Sequence, residues 1–121
     1  MTETGVDMII GVLAETTICK AFICEVCRDV HLEIGTISLR LSREDMCEFL
    51  EGLRCIDPDL QEYRHERSGH RRKIMVQVRG TCINIVFTKE ELAETIECLM
   101  IARYRLGFCE GSDHGASYRR N

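Results

Sequence analysis

Val30-His31-Leu32-Glu33-Ile34-Gly35-Thr36-Ile37-Ser38-Leu39-Arg40-Leu41-Ser42-Arg43-Glu44-Asp45-Met46, continued to Leu53, decides the fold. Apolar and polar residues alternate through Ile34 and again from Ile37 to Leu41, the period of a half-buried strand, and Gly35-Thr36 between them is a two-residue turn. A β-hairpin follows. Ser42 then offers an N-cap hydroxyl and Asp45 an acid three residues on, ahead of Met46, Phe49, Leu50 and Leu53 at helical spacing. The segment therefore reads as strand, turn, strand, capped helix.

The same grammar recurs downstream. Val76, Val78, Ile83, Ile85 and Phe87 take the places of Val30, Leu32, Ile37, Leu39 and Leu41, and Thr88-Lys89-Glu90-Glu91 takes that of Ser42-Arg43-Glu44-Asp45. Leu92, Ile96 and Leu99 then fall opposite Met46, Leu50 and Leu53, so the correspondence reaches into the second helix, although Gly35 and Gly80 are out of step by one. An internal ββα duplication is one explanation; the plainer one is that any two hairpin–helix units look alike at this level. Thr17 to Ile23 reads as a further strand. The expected fold class is α+β: a two-layer sandwich in order βββαββα, with about five mainly antiparallel strands and two helices covering one face.

The 121 residues suit a single domain. Within it, 1–16 is an N-terminal element of undecided type, 17–54 the first strand–hairpin–helix unit, 55–72 a charged connector, 73–106 the second hairpin–helix unit and 107–121 a loose tail. Asp57-Pro58 in the connector carries the signature of a short capped helix. Val6, Met8, Ile9, Ile10, Val12 and Leu13 suit a strand or a helix, and Gly5 and Gly11 argue against the latter.

Composition removes several function classes. With 45% apolar residues, one proline and nine glycines the chain has the profile of a folded protein, and a net charge of −4 gives no general pull toward polyanions. Met1 to Gly5 lacks the basic start of a secretory signal, and the apolar run Met8–Ala14 is far shorter than the roughly 20 residues that span a bilayer. No membrane association is expected, the expected location is the cytoplasm, and the eight cysteines are read there as reduced thiols.

Cys24-Glu25-Val26-Cys27 is the sharpest local feature, because a C-x-x-C turn between strands directs two thiolates at one metal ion. Cys19 and His31 are the nearest further ligands, giving a candidate zinc site of Cys19, Cys24, Cys27 and His31. There is no second C-x-x-C, and two small cysteines in a tight turn are the bland reading. Redox use of the pair is disfavoured for want of a following helix N-terminus. Haem attachment is excluded by Arg28, which follows Cys27 where a histidine is needed. Cys47, Cys55, Cys82, Cys98 and Cys109 are scattered, and no spacing announces a cysteine nucleophile with its base.

Arg64, Arg67, Arg71, Arg72 and Lys73 form a basic stretch suited to phosphates, but it lacks the aromatics that stack bases, so nucleic acid is the weaker alternative and a solvated loop the plainer one. His31, Glu33, Ser38, Arg40, Gln77, Arg79 and Asn84 should face away from the helices, with Met75, Cys82 and Val86 adding apolar area. This open face, or a sheet edge, suits a second copy of the chain or another protein partner. Nucleotide-binding, zincin and serine-hydrolase motifs are all missing.

Cys24 to Leu53, a C-x-x-C followed by a hairpin and a Ser-capped helix, looks like short bacterial proteins of unassigned function. The order three strands, helix, two strands, helix, with an acidic composition, is similar to that of small dimeric secretion chaperones, a likeness at the level of fold. The sequence thus predicts a non-catalytic binding or regulatory module that self-associates, with a zinc-stabilised module, a nucleic-acid binder and a cysteine enzyme as alternatives.

Overall fold

Strand-forming alternation in the first half of the chain produces an antiparallel meander. The computed structural model describes residues 9–24 and 26–107, and the elements run β1 (Ile9–Glu15), β2 (Cys19–Cys24), β3 (Val30–Ile34), β4 (Ile37–Leu41), α1 (Arg43–Arg54), α2 (Pro58–Arg64), β5 (Ile74–Gln77), β6 (Asn84–Phe87) and α3 (Lys89–Arg105). The protein is α+β, and its described residues form a four-stranded sheet in the order β1-β2-β3-β4, a separate two-stranded sheet β5-β6, and three helices. Among the described residues the single sheet of about five strands expected from the sequence is thereby corrected to six strands in two sheets, and the two helices to three.

Each difference has a local cause. The ambiguous segment becomes β1 because β2 offers it an edge to pair with; the ladder tolerates Gly11 through register shifts between Ile9 and Gly11 and between Val12 and Ala14. Context, not propensity, decides such a segment. Residues 1–8 of the N-terminal element and residues 108–121 of the expected tail, Cys109 included, lie outside the described residues. The third helix is the one signalled by Asp57-Pro58: Asp57 Oδ1 accepts from the amides of Asp59 at 3.1 Å and Leu60 at 3.2 Å.

The two hairpins differ in their turns. Gly35 sits at φ 60° in the two-residue loop between Ile34 and Ile37, the first position of a II′ turn, where only glycine is unstrained. The second ladder runs from Ile74–Phe87 to Gln77–Asn84, and one further backbone bond, Val78 N to Ile83 O at 2.8 Å, closes the longer 78–83 turn, in which Gly80 sits at φ 81°. Ile83, expected in the inward row, is consequently 49% exposed, whereas Ile74, outside the repeat alignment, is fully buried.

The core follows the predicted faces. Val30, Leu32 and Ile34 of β3, Ala21 of β2, and Ile85 and Phe87 of β6 are buried with Met46, Leu50 and Leu53 of α1 and Leu92, Leu99 and Ala102 of α3. Helix α3 lies against β1, β2, β6 and α1. Three side-chain links hold it there: Arg103 Nη1 donates to Glu51 on α1 at 2.9 Å, Arg105 Nη1 to the Leu13 carbonyl at 2.9 Å, and Glu94 Oε2 accepts from the Ile18 amide at 2.8 Å. Among the described residues no helix is long and apolar enough to cross a membrane.

Candidate metal centre

The register of β2 against β3 builds the site. Phe22 faces His31 and Ile23 faces Val30, so the chain reverses between β2 and β3. Two backbone bonds close that reversal, Arg28 N to Cys24 O at 2.8 Å and Cys24 N to Asp29 O at 3.3 Å, and Arg28 takes the left-handed conformation at φ 66°. A non-glycine residue there is uncommon. This backbone brings Cys27 back over the strand, where its Sγ lies 3.2 Å from Nε2 of His31.

Cys24, Cys27 and His31 thus present two sulfurs and one imidazole nitrogen, all within 4.8 Å of one another and all half-buried. An ion bonded to sulfur at about 2.3 Å and to imidazole at about 2.0–2.1 Å needs donors roughly 3.5–3.8 Å apart. The Cys27–His31 separation of 3.2 Å is slightly shorter than that and no pair exceeds 4.8 Å, so the donors can converge on one ion by small side-chain rotations.

The surroundings favour a charged sulfur. The backbone amides of Cys27 and then Val26 donate to the Cys24 thiol, and with Arg40 nearby they hold its pKa below the ordinary thiol value despite partial burial. Turn amides thus do locally what a helix N-terminus would otherwise do. Across the sheet Phe22, His31 and Arg40 form one row. The Phe22 and His31 rings stack with centroids 5.1 Å apart and planes 16° apart, which fixes the imidazole orientation. Lys20 lies 5.8 Å above the Phe22 ring, and Arg40 pairs with Asp29 at 3.5 Å.

Cys19 is not part of this group. Five positions along a strand amount to about 16 Å at about 3.3 Å per residue, and an odd step reverses the face. Cys19 is 2% exposed in the core, and its hydrogen bond with Cys98 together with burial pushes its pKa far up, so it stays a neutral thiol. Cys47 is likewise buried, while Cys55 and Cys82 are exposed on other elements.

The basic stretch is largely engaged by the protein itself. Arg72 donates twice to Glu91, at 2.8 Å each, Arg71 lies 3.7 Å from the same carboxylate, and Lys73 reaches the backbone oxygens of Ser68 and His70. Arg64 and Arg67 are exposed. A shallow groove of about 490 Å³ lined by Thr16, Thr17, Glu90, Ala93, Glu94 and Glu97 holds no thiol or imidazole.

Phe22 and the turn amides are the parts that sequence reading missed; it places Arg40 on the outward face with His31, without tying it to the cysteine cluster. Placing the C-x-x-C turn symmetrically between Ile23 and Val30 sets Phe22 opposite His31, so the stacking partner was within reach of the register. The model of a family of unknown function, DUF6686, matches residues 8–110. No curated protein and no solved structure matches the chain.

Proposed function

The chain belongs to the DUF6686 family, whose description assigns no activity, and we propose that this protein is a non-catalytic binding module stabilised by a zinc ion held by Cys24, Cys27 and His31. The convergence of three donor atoms within 4.8 Å carries this reading. Two thiolates and an imidazole suit zinc rather than magnesium or calcium, which take oxygen ligands. Such an ion would tie the β2–β3 turn to the sheet and fix the outward row of Phe22, His31 and Arg40. A reducing compartment such as the cytoplasm suits a site that needs free thiols.

Elemental analysis of protein purified without added metal tests the proposal. The expected result is bound zinc together with a lower melting temperature in chelator; no bound metal and unchanged melting would reject it.

A second reading, self-association, has its own support. Met75 pairs across the strands with Val86 on the outer side of β5–β6, and the two are 54% and 43% exposed. A second copy of the chain is the occupant this row fits, because two-fold symmetry sets identical apolar rows against each other. The two-layer arrangement and the ββα duplication belong to the same proposed picture, supported by a hairpin followed by a hydroxyl-capped helix in each half.

A further inference from the structure

We propose that Cys24 and Cys27 form a redox gate on the metal centre, in which a hydroperoxide oxidises the two sulfurs to a disulfide and the ion is released. The inference rests on the zinc reading above and names its regulation. Geometry supports it. The two sulfurs lie within 4.8 Å across a turn whose ends are closed by the Arg28–Cys24 backbone bond, so a bond between them needs little backbone movement. Both are half-buried and open to a small oxidant, whereas Cys19, Cys47 and Cys98 are buried. No ligand pair other than Cys24 and Cys27 is lost in the reaction, yet it leaves His31 as the sole remaining donor of the cluster, too few to retain the ion.

The step balances. The Cys24 sulfur attacks the outer oxygen of the hydroperoxide, the O–O bond breaks, and the alcohol leaves with a proton from solvent. The Cys27 sulfur then attacks the Cys24 sulfenic sulfur, the S–O bond breaks, and the oxygen leaves as water with a second solvent proton. Two thiolates have lost two electrons in total, the hydroperoxide has gained them, and the divalent ion leaves with its charge unchanged. A dithiol reductant reverses the bond by exchange and restores the site.

The experiment uses the full chain with Cys55→Ser and Cys82→Ser, which removes the other exposed thiols among the described residues. The protein is reconstituted with zinc, washed and treated with tert-butyl hydroperoxide, while released zinc is followed with a chromogenic chelator and the Cys24–Cys27 link by peptide mass mapping. The expected result is one zinc released per disulfide formed, with rebinding after dithiothreitol. A chain that takes up no zinc at the loading step overturns the metal reading, and the gate with it. One that loads but keeps its zinc under peroxide, or loses it with no Cys24–Cys27 bond, overturns the gate alone.

Discussion

Cys19 and Cys24 share strand β2 and a side-chain type, yet their surroundings assign them opposite work. Cys19 sits in the core beside Cys98 with its pKa raised, and Cys24 lies on the outer face where turn amides lower its pKa. Cys24→Ser should weaken zinc binding by more than about 100-fold, beyond the upper end of what loss of an outer-sphere partner costs. Cys19→Ser should leave zinc affinity unchanged and destabilise the fold by about 1–3 kcal/mol, since a hydroxyl is costlier to bury than a thiol. Competition with a chromogenic chelator and urea titration separate the two, and equal effects on zinc affinity would mean that the faces are misassigned. The parity that distinguishes them is legible in the sequence: Cys19, Ala21 and Ile23 form one row and Phe22 and Cys24 the other. Proximity in the chain alone groups Cys19 with the site. The left-handed Arg28 and the amides aimed at the Cys24 sulfur are not legible, because no residue type in the turn announces them.

Among the elements, the helices were the most readable, because capping chemistry and apolar spacing both depend on neighbours in the chain. Ser42 Oγ accepts from Asp45 N at 3.0 Å; Thr88 closes a full capping box, accepting from Glu91 N at 3.1 Å while its own amide donates to Glu91 Oε1 at 2.8 Å. Glu91 also receives both Arg72 donors, and that pair, with the Thr88 amide, holds its pKa below the ordinary carboxylate value of 4.5 despite partial burial. A carboxylate with a depressed folded pKa adds stability that is present above its unfolded pKa and is lost as pH falls through the folded one. Wild type should therefore be more stable than Glu91→Gln near neutral pH, and the gap should narrow as pH falls below the unfolded carboxylate pKa of about 4.3. Urea midpoints at both pH values check this, and a constant gap would show that the charge of Glu91 is not what matters. Strands were harder to read. Gly11 and two register shifts disguise β1, and Ile83 follows the alternation of a strand yet falls in the 78–83 turn, because the second ladder ends at Gln77–Asn84.

For the whole molecule, the missing information is which strands share a sheet. Alternation predicts that a strand has two unlike faces but says nothing of its lateral neighbour, so a single sheet and a four-plus-two division read identically in the sequence. The division has consequences. Two-stranded sheets have little stability alone, and β5–β6 is held from within by the fully buried Ile74 and by Ile85 and Phe87, 4% and 1% exposed. Its other side carries the Met75–Val86 pair, and among the described residues neither strand has a further partner. Burying that pair against its two-fold copy would remove apolar area from water at about 25 cal/mol per Å² without covering the Cys24–Cys27–His31 cluster, which lies on the other sheet. Light scattering at micromolar concentration should then give twice the chain mass, and Met75→Lys with Val86→Lys should return the monomer with zinc binding intact. A wild-type monomer under those conditions would mean that the outer row of β5–β6 faces solvent, and the self-association reading would be withdrawn without affecting the metal centre.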